Sequence, residues 1–318
     1  MTTALNIVWN PSEGIDLGFF VIRFYSLMFV VAFGLGWYLM KKVFIRENET
    51  IEKLDTLFIY TFLATLIGAR LGHVIFYQSE LFEEDFWAVF LPIRTKPEFE
   101  FTGFSGLASH GAAVAIIITM YFYSKNVIKR PLLWILDRIV IPVASGAIFV
   151  RLGNFFNSEI VGHETDSKNF YAIKFVKDEE FWHGKSVRQL TGASTPQEGY
   201  DMIQNSPKFT SIFNQIPFRH PAQLYESFGY VIVFVVVFYL YWKTEAREKS
   251  GFLLGVFLVM LWTVRFIVEY VKESQGGIEE QLGDYLGIHL STGQWLSIPF
   301  IIIGLFLMIN AKKRINSL

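Results

Sequence analysis

Residues 222–271 read AQLYESFGYVIVFVVVFYLYWKTEAREKSGFLLGVFLVMLWTVRFIVEYV. Two apolar runs, 222–242 and 251–271, are separated by a short charged turn carrying Lys243, Arg247 and Lys249. The hydrocarbon core of a bilayer is about 30 Å thick and takes about 20 residues of α-helix to cross. Each run has that length, so the pair reads as two membrane spans. Working outward, 17–40, 54–77, 106–124, 131–150 and 291–310 have the same character. The stretch 131–150 is the weakest, because it holds Asp137, Arg138 and Pro142. The expected fold is all-α and integral to the membrane, a bundle of seven transmembrane helices. Residues 163–218 contain SKN, KDEE and TPQEG and no apolar run long enough to cross. They read as a small extramembrane head. The expected organisation is helices one to four in 1–162, the head in 163–218 and helices five to seven in 219–318.

Composition agrees with this reading. Of the 318 residues, 52% are hydrophobic, with 33 Phe and 8 Trp, and the mean hydropathy is +0.37. Such a bias belongs to a chain built for lipid. A net charge of -1 gives no reason to expect nucleic acid as a partner. There is no cysteine, which excludes disulfides, thiolate metal sites and a cysteine nucleophile within the chain. The first residues carry no Lys or Arg, unlike the charged start of a cleavable signal peptide, so the first apolar run is expected to stay as a span. The six His are scattered, no metal-binding cluster appears, and no cofactor is required.

Positive charge orients the bundle. Lys41, Lys42, Arg46 and Lys53 follow span one. Lys125, Lys129 and Arg130 follow span three. Lys243, Arg247 and Lys249 follow span five, and Lys312, Lys313 and Arg314 follow span seven. With seven crossings all four groups fall on one side. The loop after span two is acidic, with Glu80, Glu83, Glu84 and Asp85. Positive residues favour the cytoplasm, which predicts the N-terminus outside and the C-terminus in the cytoplasm.

That orientation sorts the polar residues by depth. Arg23, Tyr25, Arg70, His73, Ser109, His110, Arg151, Asn154, Asn157, Gln223, Glu226, Arg265, Glu269 and Gln294 all fall toward the outer ends of their spans. Asp137 and Arg138 lie near the inner end of span four and read as a structural pair. An ionised side chain at the centre of a spanning helix costs about 2.5–3.5 kcal/mol on insertion scales. A polar pocket within the bundle, open to the outer leaflet, accounts for so many at one depth. Arg265 and Glu269 are spaced i,i+4 and can pair on one helix face.

Four stretches concentrate this chemistry: SGLASHGA at 105–112, RLGNFFNSEIVG at 151–162, RHPAQLYE at 219–226 and RFIVEY at 265–270. With RFYSLM from 23, GARLGHVIFY from 68 and STGQWLSIP from 291, they resemble the prolipoprotein diacylglyceryl transferase family over nearly the whole chain. The resemblance implies a seven-span bundle of the bacterial inner membrane. It also implies a reaction in which phosphatidylglycerol donates its diacylglyceryl group to the lipobox cysteine of a preprolipoprotein. A thioether forms and glycerol phosphate leaves.

The residue types suit that reaction. A cysteine thiol with pKa near 8.5 is only partly ionised at neutral pH. His110 is therefore the candidate base. Arg151 and Arg265 match the family's arginines and are candidates for the leaving phosphate, which a guanidinium fork grips well. Tyr25, Arg70, Asn154, Asn157, Glu159, Gly162, Glu226 and Glu269 are expected to shape the lipid and thiol site, with Glu269 orienting Arg265. Arg219 is a candidate for anionic headgroups, and His220, next to Pro221, for fixing a loop. Two positions depart from the family pattern. Leu261, beside Trp262, stands where the family has a tyrosine, and Ala112 where it has a glycine. The rival reading is a membrane lipid transporter or flippase; one-sided polarity and the lack of an inverted repeat weigh against it. A hydrolase using Ser109 and His110 is disfavoured because adjacent helical residues point apart.

Overall fold

A computed structural model of the chain describes residues 7–18, 21–91, 93–95, 99–101, 108–273 and 290–312. Strands β1 (Ile7–Trp9), β2 (Gly14–Asp16) and β3 (Val21–Arg23) precede α1 (Phe24–Arg46) and α2 (Ile51–Tyr77). The short α3 (Leu81–Glu84) and α4 (Phe86–Phe90) lead through β4 (Ile93–Arg94) and β5 (Glu100–Phe101) to α5 (Ser109–Tyr123), which a π-helical turn, Ser124–Ile128, extends. Then come α6 (Leu132–Asn157), β6 (Ile173–Phe175), α7 (Glu179–Trp182), α8 (Val187–Thr191), α9 (Pro196–Asn205), α10 (Thr210–Gln215) and β7 (Phe218–Arg219). The last described helices are α11 (Ala222–Lys243), α12 (Phe252–Val268) and α13 (Thr292–Asn310).

The protein is mostly helical. Among the described residues six helices are long and apolar enough to cross a membrane: Phe24–Arg46, Ile51–Phe76, Gly111–Ile128, Leu132–Asn157, Ala222–Lys243 and Thr292–Asn310. The sequence segment 251–271 becomes the 17-residue apolar helix α12, at the lower limit of about 17 residues for a span. The chain divides into two compact units, Met1–Gly36 with Val140–Leu318, and Trp37–Ile139.

In the unit Trp37–Ile139, α2 and α5 touch backbone to backbone. A Cβ on Gly68 would strike Ala115 and the Gly111 carbonyl, and one on Gly111 would strike the Gly68 carbonyl and the Gly72 backbone. Small residues at such spacing let helices pack by dispersion where lipid supplies no hydrophobic drive. Gly111→Ala is therefore expected to lower the melting temperature in detergent, by overpacking worth about 1–3 kcal/mol. Ala113→Val, on the exposed face of α5, is the control. Equal melting of both variants would show that the helices do not meet through these glycines. Arg70 of α2 donates to the Ala88 carbonyl at 2.6 Å, and Asp85 accepts from the Thr95 hydroxyl at 2.6 Å. These bonds hold the α3–α4 segment. Buried Arg138 pairs with Glu47, just beyond α1, at 2.7 Å and lies 4.3 Å from the centroid of the Trp134 ring.

In the other unit, the segment 163–218 folds with the N-terminal strand. β1 pairs parallel with β6, and β6 pairs antiparallel with β7. Val176, Trp182, Val187, Ile203, Phe209 and Ile216 form its core, with Val8 packed against it. The sequence reading contained neither these strands nor the part played by residues 7–9. The stretch TPQE opens α9: Thr195 accepts from the Glu198 amide at 3.2 Å and the Glu198 carboxylate accepts from the Ser194 amide at 2.9 Å, a reciprocal cap. Trp9 links this sheet to the end of α6, donating to the Phe155 carbonyl at 2.9 Å.

Arg219 corrects a further expectation. It is 3% exposed and meets Asp178 at 2.5 Å, Glu180 at 2.7 Å and Glu273 at 3.1 Å. Burial opposes its charge, and the carboxylates, Asp178 foremost, more than offset that and raise its pKa. Three carboxylates around one guanidinium leave the cluster net negative, and Arg219 serves there as a buried cross-link.

Candidate active site

The C-terminal end of α6 carries the densest polar motif. Arg151, Asn154 and Asn157 recur at i,i+3 and share a face. Beyond Asn157 the chain leaves the helix through two left-handed residues, Ser158 at φ 60° and Ile160 at φ 57°. A β-branched residue there is a genuine outlier, and such a backbone persists only where its surroundings fix it. Glu159 lies between the two. Its carboxylate accepts from Asn157 Nδ2 at 2.7 Å and from Asn154 Nδ2 at 3.2 Å. Gln223 of α11, itself buried, donates to the Glu159 carbonyl. Both ends of the glutamate are held.

Gly162 closes the motif. Its amide donates to the His220 carbonyl at 2.8 Å, and it forms a bridge with Lys272. A Cβ there would collide with the Val271 carbonyl and with His220. His220 is fixed in turn by stacking on Tyr171 at 4.8 Å and by a 3.3 Å contact between Nδ1 and the Tyr225 hydroxyl, in keeping with a loop-fixing part.

Arg151 is the hub. It forms an ion pair with Glu226 of α11; the side chains are 13% and 2% exposed. Its Nη1 donates to Asn154 Oδ1 at 3.1 Å, so Asn154 relays between Arg151 and Glu159. The Tyr230 hydroxyl, one turn beyond Glu226, shares a hydrogen bond with Arg151. Tyr25, at the start of α1, shares one with Asn154. A Cβ at Gly153 would meet the Tyr25 ring at 2.9 Å, which is why the motif has glycine beside its asparagine. A buried ion pair survives only with good geometry and further hydrogen bonds; Asn154 and Tyr230 supply them on the arginine side.

Arg265, near the end of α12, differs. The expected pairing with Glu269 is absent. Glu269 instead meets Lys272 at 3.4 Å, and its carboxylate lies against Gly293 at the N-terminus of α13, in the space a Cβ would fill. That helix start is fixed by a capping box between Ser291 and Gln294, and its positive end favours a carboxylate. With Lys272 and the helix end both available, Glu269 turns from Arg265. The Arg265 guanidinium lies 4.9 Å from the centroid of Trp262. Its Nε is buried without a hydrogen-bond partner, and among the described residues it has no ion pair.

Tyr25, Arg151, Asn154, Asn157, Glu159, Gly162, Glu226, Arg265 and Glu269 thus belong to a single compact unit, where hydrogen bonds, ion pairs and close packing link most of them. Arg70 belongs to the other unit, where the Ala88 carbonyl engages it. The backbone of His110 is in the first turn of α5; its side chain lies outside the described residues.

The family model of prolipoprotein diacylglyceryl transferase matches residues 13–310. The chain belongs to this family. Among its relatives, the phosphatidylglycerol–prolipoprotein diacylglyceryl transferase of Chloroherpeton thalassium is 34% identical over 315 residues, 99% of this chain and 97% of that protein. The enzymes of the same name from Tolumonas auensis and Bacteroides fragilis are 32% and 33% identical, each over at least 97% of both chains.

Within the family frame, sequence reasoning passed over Tyr230, Lys272 and Gly293. Each sits in or beside an apolar run and is given meaning by a partner on another element. The structure also makes Gly162 the most sterically constrained residue of the motif. Gly162→Ala is expected to displace the backbone around Gly162 and Lys272 and to reduce transfer by about tenfold or more, since small misplacements of a site cost that much. The check is the initial rate of the purified variant against Gly34→Ala, a glycine of α1 with open space around it. Equal rates would mean that the close approach at Gly162 is unimportant.

Proposed function

We infer that the chain transfers the diacylglyceryl group of phosphatidylglycerol to the lipobox cysteine thiol of a preprolipoprotein, the first step of bacterial lipoprotein maturation. The observation that carries this reading is the folding of the family's 151–162 motif into one hydrogen-bonded network with Glu226, in the same unit as an arginine that has no carboxylate partner among the described residues. The sulfur attacks the glyceryl carbon, the carbon–oxygen bond to phosphate breaks, and glycerol phosphate leaves with the electron pair. The thiol proton goes to a base, for which His110 is proposed. Arg265 binds the phosphate as negative charge grows on it. Arg151, neutralised by Glu226, holds Asn154 and through it Glu159. Tyr25, Asn154, Asn157, Glu159, Gly162 and Glu226 shape the headgroup and thiol site; Arg70 and Glu269 support it. No cofactor is invoked.

The setting is the bacterial inner membrane, crossed seven times, with the N-terminus and a head of residues 163–218 in the periplasm and the C-terminus in the cytoplasm. Helices one to four occupy 1–162 and helices five to seven 219–318. The site opens to the outer leaflet, where both substrates are reached. The recurrence of basic loops after alternate spans supports this arrangement.

The test uses phosphatidylglycerol labelled in its headgroup glycerol. Purified protein in detergent should release labelled glycerol phosphate only when a lipobox peptide with its cysteine is present. Release without peptide, or with the serine peptide at the same rate, would mean hydrolysis and would overturn the reading.

A further inference from the structure

We propose that Trp262 positions Arg265 for its phosphate, holding the guanidinium by the indole ring so that the cation keeps its full charge. This rests on the reading that Arg265 binds the phosphate. Trp262 and Arg265 are spaced i,i+3 and share a face of α12. The guanidinium carbon is 4.9 Å from the ring centroid. The indole is itself fixed, stacked on Phe300 of α13 at 4.2 Å with an interplanar angle of 4°.

Among the described residues, Arg151 is paired with Glu226 and Lys272 with Glu269. Arg265 has no such partner among the described residues. A carboxylate partner would cancel the charge and occupy N–H donors. An aromatic face attracts a guanidinium through its quadrupole and leaves the charge in place, and guanidinium, planar and weakly hydrated, suits that contact better than ammonium. One unneutralised cation then meets the single negative charge of a phosphodiester.

The experiment titrates glycerol phosphate calorimetrically into the purified full-length protein in detergent. Trp262→Leu is expected to weaken binding by about 10- to 30-fold, the scale of a desolvated cation–π contact. Trp262→Phe, which keeps a ring face, should stay within about threefold of wild type. Arg265→Met should leave only residual binding, and adding Trp262→Leu to it should weaken that no further. If the leucine variant is unstable, Trp262→Met, closer in volume and flexible, takes its place. An equal loss from the Trp262 change with and without Arg265, or wild-type affinity in the Trp262 variant, would overturn the positioning role alone. Wild-type affinity in Arg265→Met would overturn the phosphate reading beneath it.

Discussion

Arg265→Met is expected to lower kcat/KM for diacylglyceryl transfer at least about 100-fold while the protein inserts and melts as the wild type does. Losing one donor aimed at developing charge costs about 2.7–4 kcal/mol of barrier, which is two to three decades in rate. Stability should be largely spared because, among the described residues, the guanidinium has no carboxylate partner, and its Nε is without a hydrogen-bond partner. Methionine keeps an apolar stem of similar reach against Trp262. The checks are the initial rate of peptide modification and a melting curve from the same preparation. A variant with wild-type rate would remove Arg265 from the reaction; one that fails to insert would make it structural.

The second large effect separates stability from catalysis at Arg151. Glu226 is 1% exposed and pairs with Arg151. Glu226→Leu leaves a buried guanidinium without its counter-charge, which should destabilise by about 3–5 kcal/mol and abolish transfer. The double variant Arg151→Met/Glu226→Leu removes both charges and should recover most of the lost stability, since an apolar replacement of a buried pair is often neutral. It should remain inactive, because Asn154 loses the donor that ties it to the rest of the site. Thermal unfolding and transfer rate of the two variants decide the matter. A double variant as unstable as the single one would show no coupling between the residues, and an active double variant would take the pair out of the reaction.

Much of this was legible in the sequence, for identifiable reasons. The runs around α11 and α12 announce themselves by length and apolarity, and RLGNFFNSEIVG by packing Arg, Asn, Glu and Gly onto a helix end. Local spacing failed where partners came from afar. Arg265 and Glu269 are spaced to pair at i,i+4, but Lys272 competes at i,i+3, and no local rule brings the N-terminus of α13 at Gly293 against the glutamate. The strand Ile7–Trp9 pairs with Ile173–Phe175, a contact between distant segments that leaves no periodicity in three residues. Arg219 read as a headgroup ligand because an arginine beside the bilayer invites it, and the carboxylates around it come from two distant segments, 178–180 and 273. Trp262 entered the sequence reading only as the neighbour of Leu261. Its contact with Arg265 needs a rotamer, and its fixed plane needs Phe300.

The most direct test of the account is the mass of a lipobox peptide after incubation with the purified protein and phosphatidylglycerol. The account predicts a diacylglyceryl mass gain on the cysteine peptide, stable to neutral hydroxylamine, which would cleave a thioester, none on the serine peptide, and none with Arg265→Met. An unmodified cysteine peptide, with the wild-type protein folded and the lipid and detergent varied, would contradict it.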